Sequence, residues 1–160
     1  MNMPIFKPTL RFNRITDIAP VFLQERKITT LLLDVDNTLT KHNSHEVTED
    51  IRAWLNSLKD FNINPIIYSN NKKGRIEPLA KDLNLKFIYS AKKPLKGKFK
   101  TTLKNLGVKP ESAAIVGDQI FTDILGGNRA KITTIFVNYI SPESGWFFKL
   151  KRRFERMVLK

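Results

Sequence analysis

Short apolar runs alternate along the chain with stretches in which apolar residues recur at helical spacing. The apolar runs are predicted to be strands, and they cover residues 29–35, 65–68, 86–89, 113–116 and 132–137. The stretches between them are predicted to be helices, with apolar positions at Ile51, Trp54, Leu55 and Leu58, at Ile76, Leu79, Ala80 and Leu83, and at Phe99, Leu103 and Leu106. This alternation favours an α/β fold, a parallel sheet with helices on both faces.

Polar residues follow the predicted strands at the points where the strands end. They are Asp34 and Asp36 at the first strand, Ser69 and Asn70 at the second, Lys92 and Lys93 near the third, and Asp118 at the fourth, with Asp123 further on. Ligands of such sheets bind at the carboxyl ends of the strands. Carboxylates can hold a hard cation such as Mg²⁺, while hydroxyl, amide and lysine donors can bind a phosphate dianion. Because an aspartate can also be a phosphoryl nucleophile, the set predicts phosphoryl transfer.

The composition narrows the classes of protein further. The chain has 160 residues, enough for one domain with a core, and it contains no cysteine. A disulfide scaffold, a thiolate zinc site, an iron–sulfur cluster and a cysteine nucleophile are therefore excluded. The two histidines, His42 and His45, are interpreted as loop residues without a catalytic role. The net charge of +13 predicts attraction to nucleic acid, anionic lipid or phosphorylated substrates, with a merely solvated basic surface as the alternative.

Four segments resemble the motifs of one enzyme superfamily. Residues 34–40, Asp-Val-Asp-Asn-Thr-Leu-Thr, resemble the first motif of the haloacid dehalogenase (HAD) phosphatases. Ser69, Lys93 before Pro94, and residues 117–123, Gly-Asp-Gln-Ile-Phe-Thr-Asp, match the second, third and fourth motifs. The longer run 117–129 resembles the YqeG-like branch of the subfamily IIIA phosphatases, relatives of the mitochondrial phosphatidylglycerophosphate phosphatases. The resemblance implies a HAD-type Rossmann-like fold.

The resemblance also implies the roles of the acidic residues. Asp34 would be the nucleophile and a metal ligand, and Asp36 the general acid/base that binds metal through its backbone carbonyl. Asp118 would be the third protein ligand of Mg²⁺, and Asp123 would reach the metal through water or orient the other ligands. Since Asp36 must give a proton to the leaving group, we expect its surroundings to raise its pKa.

The remaining motif residues are implied to bind the phosphoryl group. Ser69 would hydrogen-bond it with Asn70 alongside. Lys93 would balance negative charge on the nucleophile and the substrate. Lys92 is adjacent to Lys93, and the following Pro94 favours Lys93 for this role.

The spacing of the motifs leaves no room for a cap domain. The intervals 37–68 and 70–92 are each filled by one predicted helix and its flanking segments. We therefore expect a capless core over residues 29–140 and an open site, which suits a phosphate carried on a large molecule.

The two termini are basic and aromatic. Residues 141–160 are predicted to form a basic amphipathic helix, and its apolar positions are Trp146, Phe147, Leu150, Phe154, Met157 and Val158. Such a helix is typical of a membrane interface, but it could equally pack its apolar stripe on the domain, and the two can coexist. Residues 1–28 are predicted to form an arm of similar character and a first helix.

We therefore expect a Mg²⁺-dependent phosphatase with an aspartyl-phosphate intermediate. The resemblance supplies phosphatidylglycerophosphate, converted to phosphatidylglycerol, as the expected substrate. A phosphatase for nucleic-acid ends or small phosphorylated metabolites is the alternative, and a basic RNA- or ribosome-binding protein is the rival class. Because the chain shows neither a signal-like start nor a membrane-spanning run, we expect it in the cytoplasm, at the inner face of an anionic membrane. The oligomeric state is left open.

Overall fold

A six-stranded parallel sheet forms the centre of the computed structural model, which describes residues 4–141 and 144–159. The strands are β1 (Leu10–Phe12), β2 (Thr30–Leu33), β3 (Asn64–Tyr68), β4 (Lys86–Ile88), β5 (Ala113–Gly117) and β6 (Thr133–Val137). Their order across the sheet is β1-β6-β5-β2-β3-β4, and every pair is parallel. The predicted α/β class is confirmed, and each predicted strand ends within two residues of the observed one.

Helices cover both faces of the sheet. They are α1 (Pro20–Glu25), α2 (Glu49–Asp60), α3 (Lys73–Leu83), α4 (Lys96–Leu106), α5 (Leu125–Ala130) and α6 (Trp146–Val158). Alternate residues of a strand face opposite sides, so Leu31 and Leu33 enter one core cluster and Leu32 enters the other. The first cluster contains Ile51 of α2 and the second contains Phe99 of α4, which confirms helices on both faces.

The register of the central strands brings three chain segments to one edge of the sheet. Leu33 of β2 lies opposite Ile67 of β3 and Val116 of β5. The residues that follow these strands therefore emerge at the same level. This is the carboxyl edge, where the pattern of polar residues predicts the site.

The edge strand β1 was not predicted. Leu10 and Phe12 pair with Ile135 and Val137 of β6, so part of the predicted arm, residues 1–28, belongs to the sheet. The Phe12 ring contacts Phe22 edge-on, with ring centroids 5.8 Å apart. Three residues with Arg11 in the middle are too short a pattern to separate an edge strand from a loop. The boundaries at residues 28 and 140 stay a prediction.

The connections on either side of β3 contain no cap domain. Between β2 and β3 the only α-helix is α2, and between β3 and β4 it is α3. The capless core that the spacing predicted is therefore confirmed as part of the HAD-type fold.

The C-terminal helix α6 packs on the core through one face. Buried Glu155 accepts a hydrogen bond from the Ile120 backbone N–H at 3.1 Å, and the Phe154 ring lies 5.2 Å from that of Phe121. The opposite face leaves Trp146 75% and Met157 66% exposed. Among residues 4–141 and 144–159, none of the helices combines the length and apolar character needed to cross a bilayer.

Candidate active site

Three buried carboxylates meet at the carboxyl edge of the sheet. Asp34 follows β2, Asp118 follows β5, and Asp123 lies in a π-helical turn, Ile120–Ile124. One oxygen of each lies within 4.8 Å of the others. Gly117 permits this approach, because a Cβ at that position would lie 2.2 Å from Asp123 Oδ2. The structure thus brings together three of the predicted acidic residues.

Two cationic side chains offset the charge of this cluster. Lys93 Nζ donates to Asp34 Oδ1 at 2.7 Å and to Asp123 Oδ1 at 2.6 Å. Arg152 of α6 donates to Asp118 Oδ2 at 2.5 Å and to the Asp118 carbonyl at 2.7 Å. Without these cations the buried carboxylates would repel one another strongly.

Burial and neighbouring charges shift the pKa values of Asp34, Asp118 and Lys93. Burial, with the Asp123 charge adding to it, raises the pKa of Asp34 to about 6, although Lys93 opposes this. Burial and the Asp34 charge raise the pKa of Asp118 well above its ordinary value, against the effect of Arg152. Burial lowers the pKa of Lys93, but Asp123 and Asp34 more than reverse this, so Lys93 stays protonated.

The donor set fits a divalent metal ion. Asp118 Oδ1 is buried and has no hydrogen-bond partner in the part of the chain that the structure describes. A buried carboxylate oxygen without a partner is costly, and Asp118 lies beside two further carboxylates. Hard cations such as Mg²⁺ prefer this all-oxygen set, so Asp34, Asp118 and Asp123 can hold such an ion between them.

Asp36 lies apart from the cluster. The chain turns at Asn37, whose φ is 61°, and the Asp36 side chain accepts hydrogen bonds from Asn71 Nδ2 at 2.6 Å, the Asn43 N–H at 3.0 Å and Arg75 Nη2 at 3.0 Å. Burial raises the pKa of Asp36, but these three partners together lower it below its ordinary value. The expectation of a raised pKa is therefore wrong for the ligand-free protein. The sequence could not place Arg75, on α3, beside Asp36.

The two residues predicted to bind phosphate after β3 have different surroundings. Ser69 is buried, and its hydroxyl oxygen accepts the Asn71 N–H at 3.1 Å. Asn70 Oδ1 accepts the Lys93 N–H at 2.7 Å, and Asn70 Nδ2 donates to the Lys93 carbonyl at 3.1 Å. Asn70 thus orients Lys93, and its contact with phosphate stays a prediction.

A cavity of about 200 Å³ joins these residues. It is lined by the predicted residues Asp34, Asp36, Ser69, Asn70 and Lys93, and also by His42, Asn71, Gln119, Thr122, Phe148 and Lys151. Phe148 and Lys151 belong to α6, and the Phe148 ring lies 6.3 Å from that of His42. The site is therefore walled on one side by α6, which corrects the expectation of a fully open site.

A family model described as haloacid dehalogenase-like hydrolase matches residues 15–131, well over half of the chain. The chain belongs to this family. A curated relative, the probable phosphatase YqeG of Bacillus subtilis (strain 168), is 33% identical over 154 residues, which cover 96% of this chain and 90% of the relative. The protein is accordingly a phosphatase of the HAD family, as the four motifs predicted.

Solved structures of two phosphatases share the fold. The cobalt-bound deoxy-D-mannose-octulosonate 8-phosphate phosphatase of Haemophilus influenzae has a TM-score of 0.56 and 17% identity, with 84% of this chain and 89% of that chain covered. The 3-deoxy-D-manno-octulosonate 8-phosphate phosphatase of Moraxella catarrhalis, in complex with magnesium, phosphate and KDO, has a TM-score of 0.50 and 20% identity, over 61% of this chain and 63% of that chain. At these identities the likeness concerns the fold.

Sequence reasoning missed several residues that shape the site of this HAD phosphatase. Asn71 and Arg75 donate hydrogen bonds to Asp36. Two residues of α6 also contribute, since Lys151 lines the cavity and Arg152 pairs with Asp118. The basic character of α6 was visible in the sequence, but nothing in the spacing indicated which face packs. His42 is exposed in its loop as interpreted, yet it also lines the cavity.

Proposed function

We propose that the protein is a Mg²⁺-dependent phosphomonoesterase that forms an aspartyl-phosphate on Asp34. The observation that supports this most is the buried cluster of Asp34, Asp118 and Asp123, in which Asp118 Oδ1 lacks a partner among the described residues while Lys93 donates to Asp34. Magnesium is favoured by the oxygen donors and by the magnesium in the Moraxella catarrhalis phosphatase of the same fold. Mg²⁺ held by Asp34 and Asp118 would neutralise phosphate charge.

The first half of the reaction is carried by Asp34 and Asp36. An Asp34 carboxylate oxygen attacks phosphorus, the bond from phosphorus to the alcohol oxygen breaks, and Asp36 gives its proton to that oxygen. Lys93 offsets the repulsion between the carboxylate and the phosphate dianion. The negative phosphate beside Asp36 raises the pKa that Arg75 and the two asparagines hold low in the free protein, so Asp36 can carry the proton.

The second half returns the enzyme to its starting state. Water attacks phosphorus of the aspartyl-phosphate, and Asp36 takes a proton from that water. The bond between Asp34 and phosphorus then breaks, which releases inorganic phosphate and restores the Asp34 carboxylate and the protonated Asp36 with which the reaction began. The Ser69 hydroxyl, buried at the cavity wall, donates to a phosphoryl oxygen in both halves.

The proposed substrate is phosphatidylglycerophosphate, which yields phosphatidylglycerol. The YqeG-like resemblance supplies this substrate, and the capless core is compatible with a phosphate presented on a lipid. Exposed apolar side chains at the carboxyl edge of the sheet favour a lipid surface. In the loops that follow β4 and β6 they are Tyr89, Leu95, Tyr139 and Ile140.

The proposed place of action is an anionic membrane surface, at its cytoplasmic face. Trp146, Leu150 and Met157 are exposed on α6 one or two turns apart, and Arg153 and Arg156 are exposed among them. A helix with exposed aromatic and apolar side chains and flanking cations binds anionic interfaces, to which each cation near the surface adds about 1 kcal/mol.

The test is phosphate release from phosphatidylglycerophosphate in mixed micelles with Mg²⁺. We expect wild-type turnover well above that of soluble sugar phosphates and 5′-phosphorylated oligonucleotides. Asp34→Asn should abolish turnover, because an amide cannot form the phosphoenzyme. Preference for the oligonucleotides or the sugar phosphates would overturn the lipid substrate and retain the chemistry. Full activity of Asp34→Asn would overturn the mechanism.

A further inference from the structure

A second lysine, Lys151, lines the catalytic cavity from the side of α6. Its Nζ donates a hydrogen bond to Gln119 Oε1 at 2.6 Å. Gln119 follows Asp118 at the carboxyl edge of the sheet, and its side chain also accepts from Thr122 Oγ1 at 3.3 Å. Lys151 therefore reaches the same space as Asp34 and Lys93 but comes from a different element.

The charge of Lys151 is not compensated in the way that the charge of Lys93 is. Lys93 lies between two carboxylates, Asp34 and Asp123. The partner of Lys151 is a neutral amide, and no carboxylate among residues 4–141 and 144–159 forms an ion pair with it. The charge of Lys93 is thus neutralised by two carboxylates, whereas the positive charge of Lys151 remains available to a ligand in the cavity.

The position of Lys151 is fixed by its neighbours on α6. Arg152, the next residue, donates to both the backbone and the side chain of Asp118. Glu155, one turn later, is buried and accepts the Ile120 N–H, while Phe148, one turn earlier, lines the same cavity. Since contacts on both sides hold this part of the helix, Lys151 is placed at the cavity wall and is not a freely moving surface side chain.

We propose that Lys151, oriented by Gln119, binds a second anionic group of the substrate. This rests on the proposed function, and it narrows the substrate class to phosphomonoesters that carry another negative charge a few bonds away, such as a phosphodiester. A lipid headgroup with a phosphodiester and a nucleotide with a second phosphate share this chemistry. A simple monoester such as glycerol 3-phosphate lacks the second charge.

The experiment compares two soluble substrates and three variants. Glycerophosphoglycerophosphate has a phosphomonoester and a phosphodiester, and glycerol 3-phosphate has the phosphomonoester alone. For Lys151→Ala we expect kcat/KM on the first substrate to fall about 10- to 100-fold, mostly through KM, because a charge-assisted hydrogen bond is lost. On glycerol 3-phosphate the change should stay below about twofold. Lys151→Arg, which keeps the charge, should restore most of the affinity.

Lys104→Ala is the matched control. Lys104 is an exposed lysine near the end of α4, at the opposite edge of the sheet from the cavity, so its removal lowers the net charge equally. Lys104→Ala should leave kcat/KM unchanged on both substrates. An equal loss on both substrates in Lys151→Ala, or failure of Lys151→Arg to restore affinity, would overturn the second anion site.

Binding separates this inference from the proposed function. Calorimetry on Asp34→Asn, with and without Lys151→Ala, measures affinity for glycerophosphoglycerophosphate when no turnover occurs. If Lys151→Ala weakens binding, the anion site is supported whether or not the wild-type protein releases phosphate. An absence of phosphate release from the wild-type protein would overturn the proposed function and leave the anion site standing. A nucleoside 3′,5′-bisphosphate that binds more tightly than glycerophosphoglycerophosphate would support the site and assign its second anion to a nucleotide. Equal affinity with and without Lys151 would overturn it.

Discussion

The side chain of Lys93 neutralises two buried carboxylates of the site. Its ammonium group lies between Asp34 and Asp123, both buried. The Asn70 side chain makes two hydrogen bonds to the Lys93 backbone and so holds it in place. Removal of Lys93 would leave both buried carboxylates without their cation, and an uncompensated buried charge of this kind typically costs about 3–5 kcal/mol. Substitutions in this cluster therefore affect stability as well as turnover. Gly117 also contributes to the position of Asp123. Because it has no Cβ, it leaves the space that the Asp123 carboxylate occupies.

We predict that Gly117→Ala disrupts the site. The new methyl group would lie 2.2 Å from Asp123 Oδ2 and would push that carboxylate away from Lys93. We expect the free energy of unfolding to fall by about 1–3 kcal/mol and kcat to fall at least about tenfold, as measured by urea denaturation and phosphate release.

Gly97→Ala is the control for this substitution. Gly97 lies in α4, and a Cβ there would meet no atom within 4 Å. Alanine in a helix should stabilise the protein by up to about 1 kcal/mol and leave turnover unchanged. If Gly117→Ala behaved like Gly97→Ala, the close approach of Asp123 would not matter to the site.

At the scale of elements, α6 has two faces with different environments. The inner face carries Arg152, Phe154 and Glu155, which contact Asp118, Phe121 and the Ile120 backbone. The outer face, defined by Trp146, Leu150, Arg153, Arg156 and Met157, is exposed. Because the inner contacts hold the helix, the outer face can be altered without loosening the catalytic cavity.

We predict that the double variant Trp146→Ala/Leu150→Ala binds anionic vesicles at least about tenfold more weakly than the wild type, because two exposed apolar anchors are lost. Co-sedimentation with phosphatidylglycerol-containing vesicles measures the binding. The free energy of unfolding should change little, since both side chains are largely exposed. Val21→Ala, which trims an exposed residue of α1, should bind like the wild type. If the double variant bound the vesicles as tightly as the wild type does, α6 would not be part of the membrane-binding surface.

At the scale of the whole molecule, the carboxylate cluster couples stability to pH and to metal. The folded protein raises the pKa of Asp34 from 3.8 to about 6, so it holds this proton more tightly than the unfolded chain does. The resulting stabilisation is fully present below about pH 3.8 and is lost as the pH rises through 6. At neutral pH the folded protein therefore bears the cost of a buried, ionised Asp34.

We predict that Asp34→Asn is more stable than the wild type at pH 7.5 in EDTA, by roughly 1–3 kcal/mol. The difference should shrink as the pH falls towards 4, where wild-type Asp34 is itself neutral. Urea denaturation at several pH values measures it. Saturating Mg²⁺ should selectively stabilise the wild type, because the ion binds the folded state through the intact carboxylates. A difference that did not depend on pH would contradict the raised pKa of Asp34.

Much of the arrangement could be predicted from the chain. The strand ends carry Asp34, Ser69, Lys93 and Asp118, and the parallel sheet brings them together as the periodicity required. Asp36 lines the cavity, but the expectation of a raised pKa was wrong, because hydrogen bonds from Asn71, Asn43 and Arg75, the last of them 39 residues further along the chain, lower the pKa. A pKa depends on every charge within a few ångströms, and such neighbours are set by folding.

The sequence by itself determined the α/β class, the capless core and the acidic and basic residues at the carboxyl edge of the sheet. It could do so because hydrophobic period and residue type are local properties of the chain. Only the tertiary structure decided that residues 10–12 join the sheet, that Phe148 and Lys151 of α6 wall the cavity, and that Arg152 pairs with Asp118. These contacts join residues far apart in the chain, and the packing that selects one helix face over another has no signature in the spacing alone.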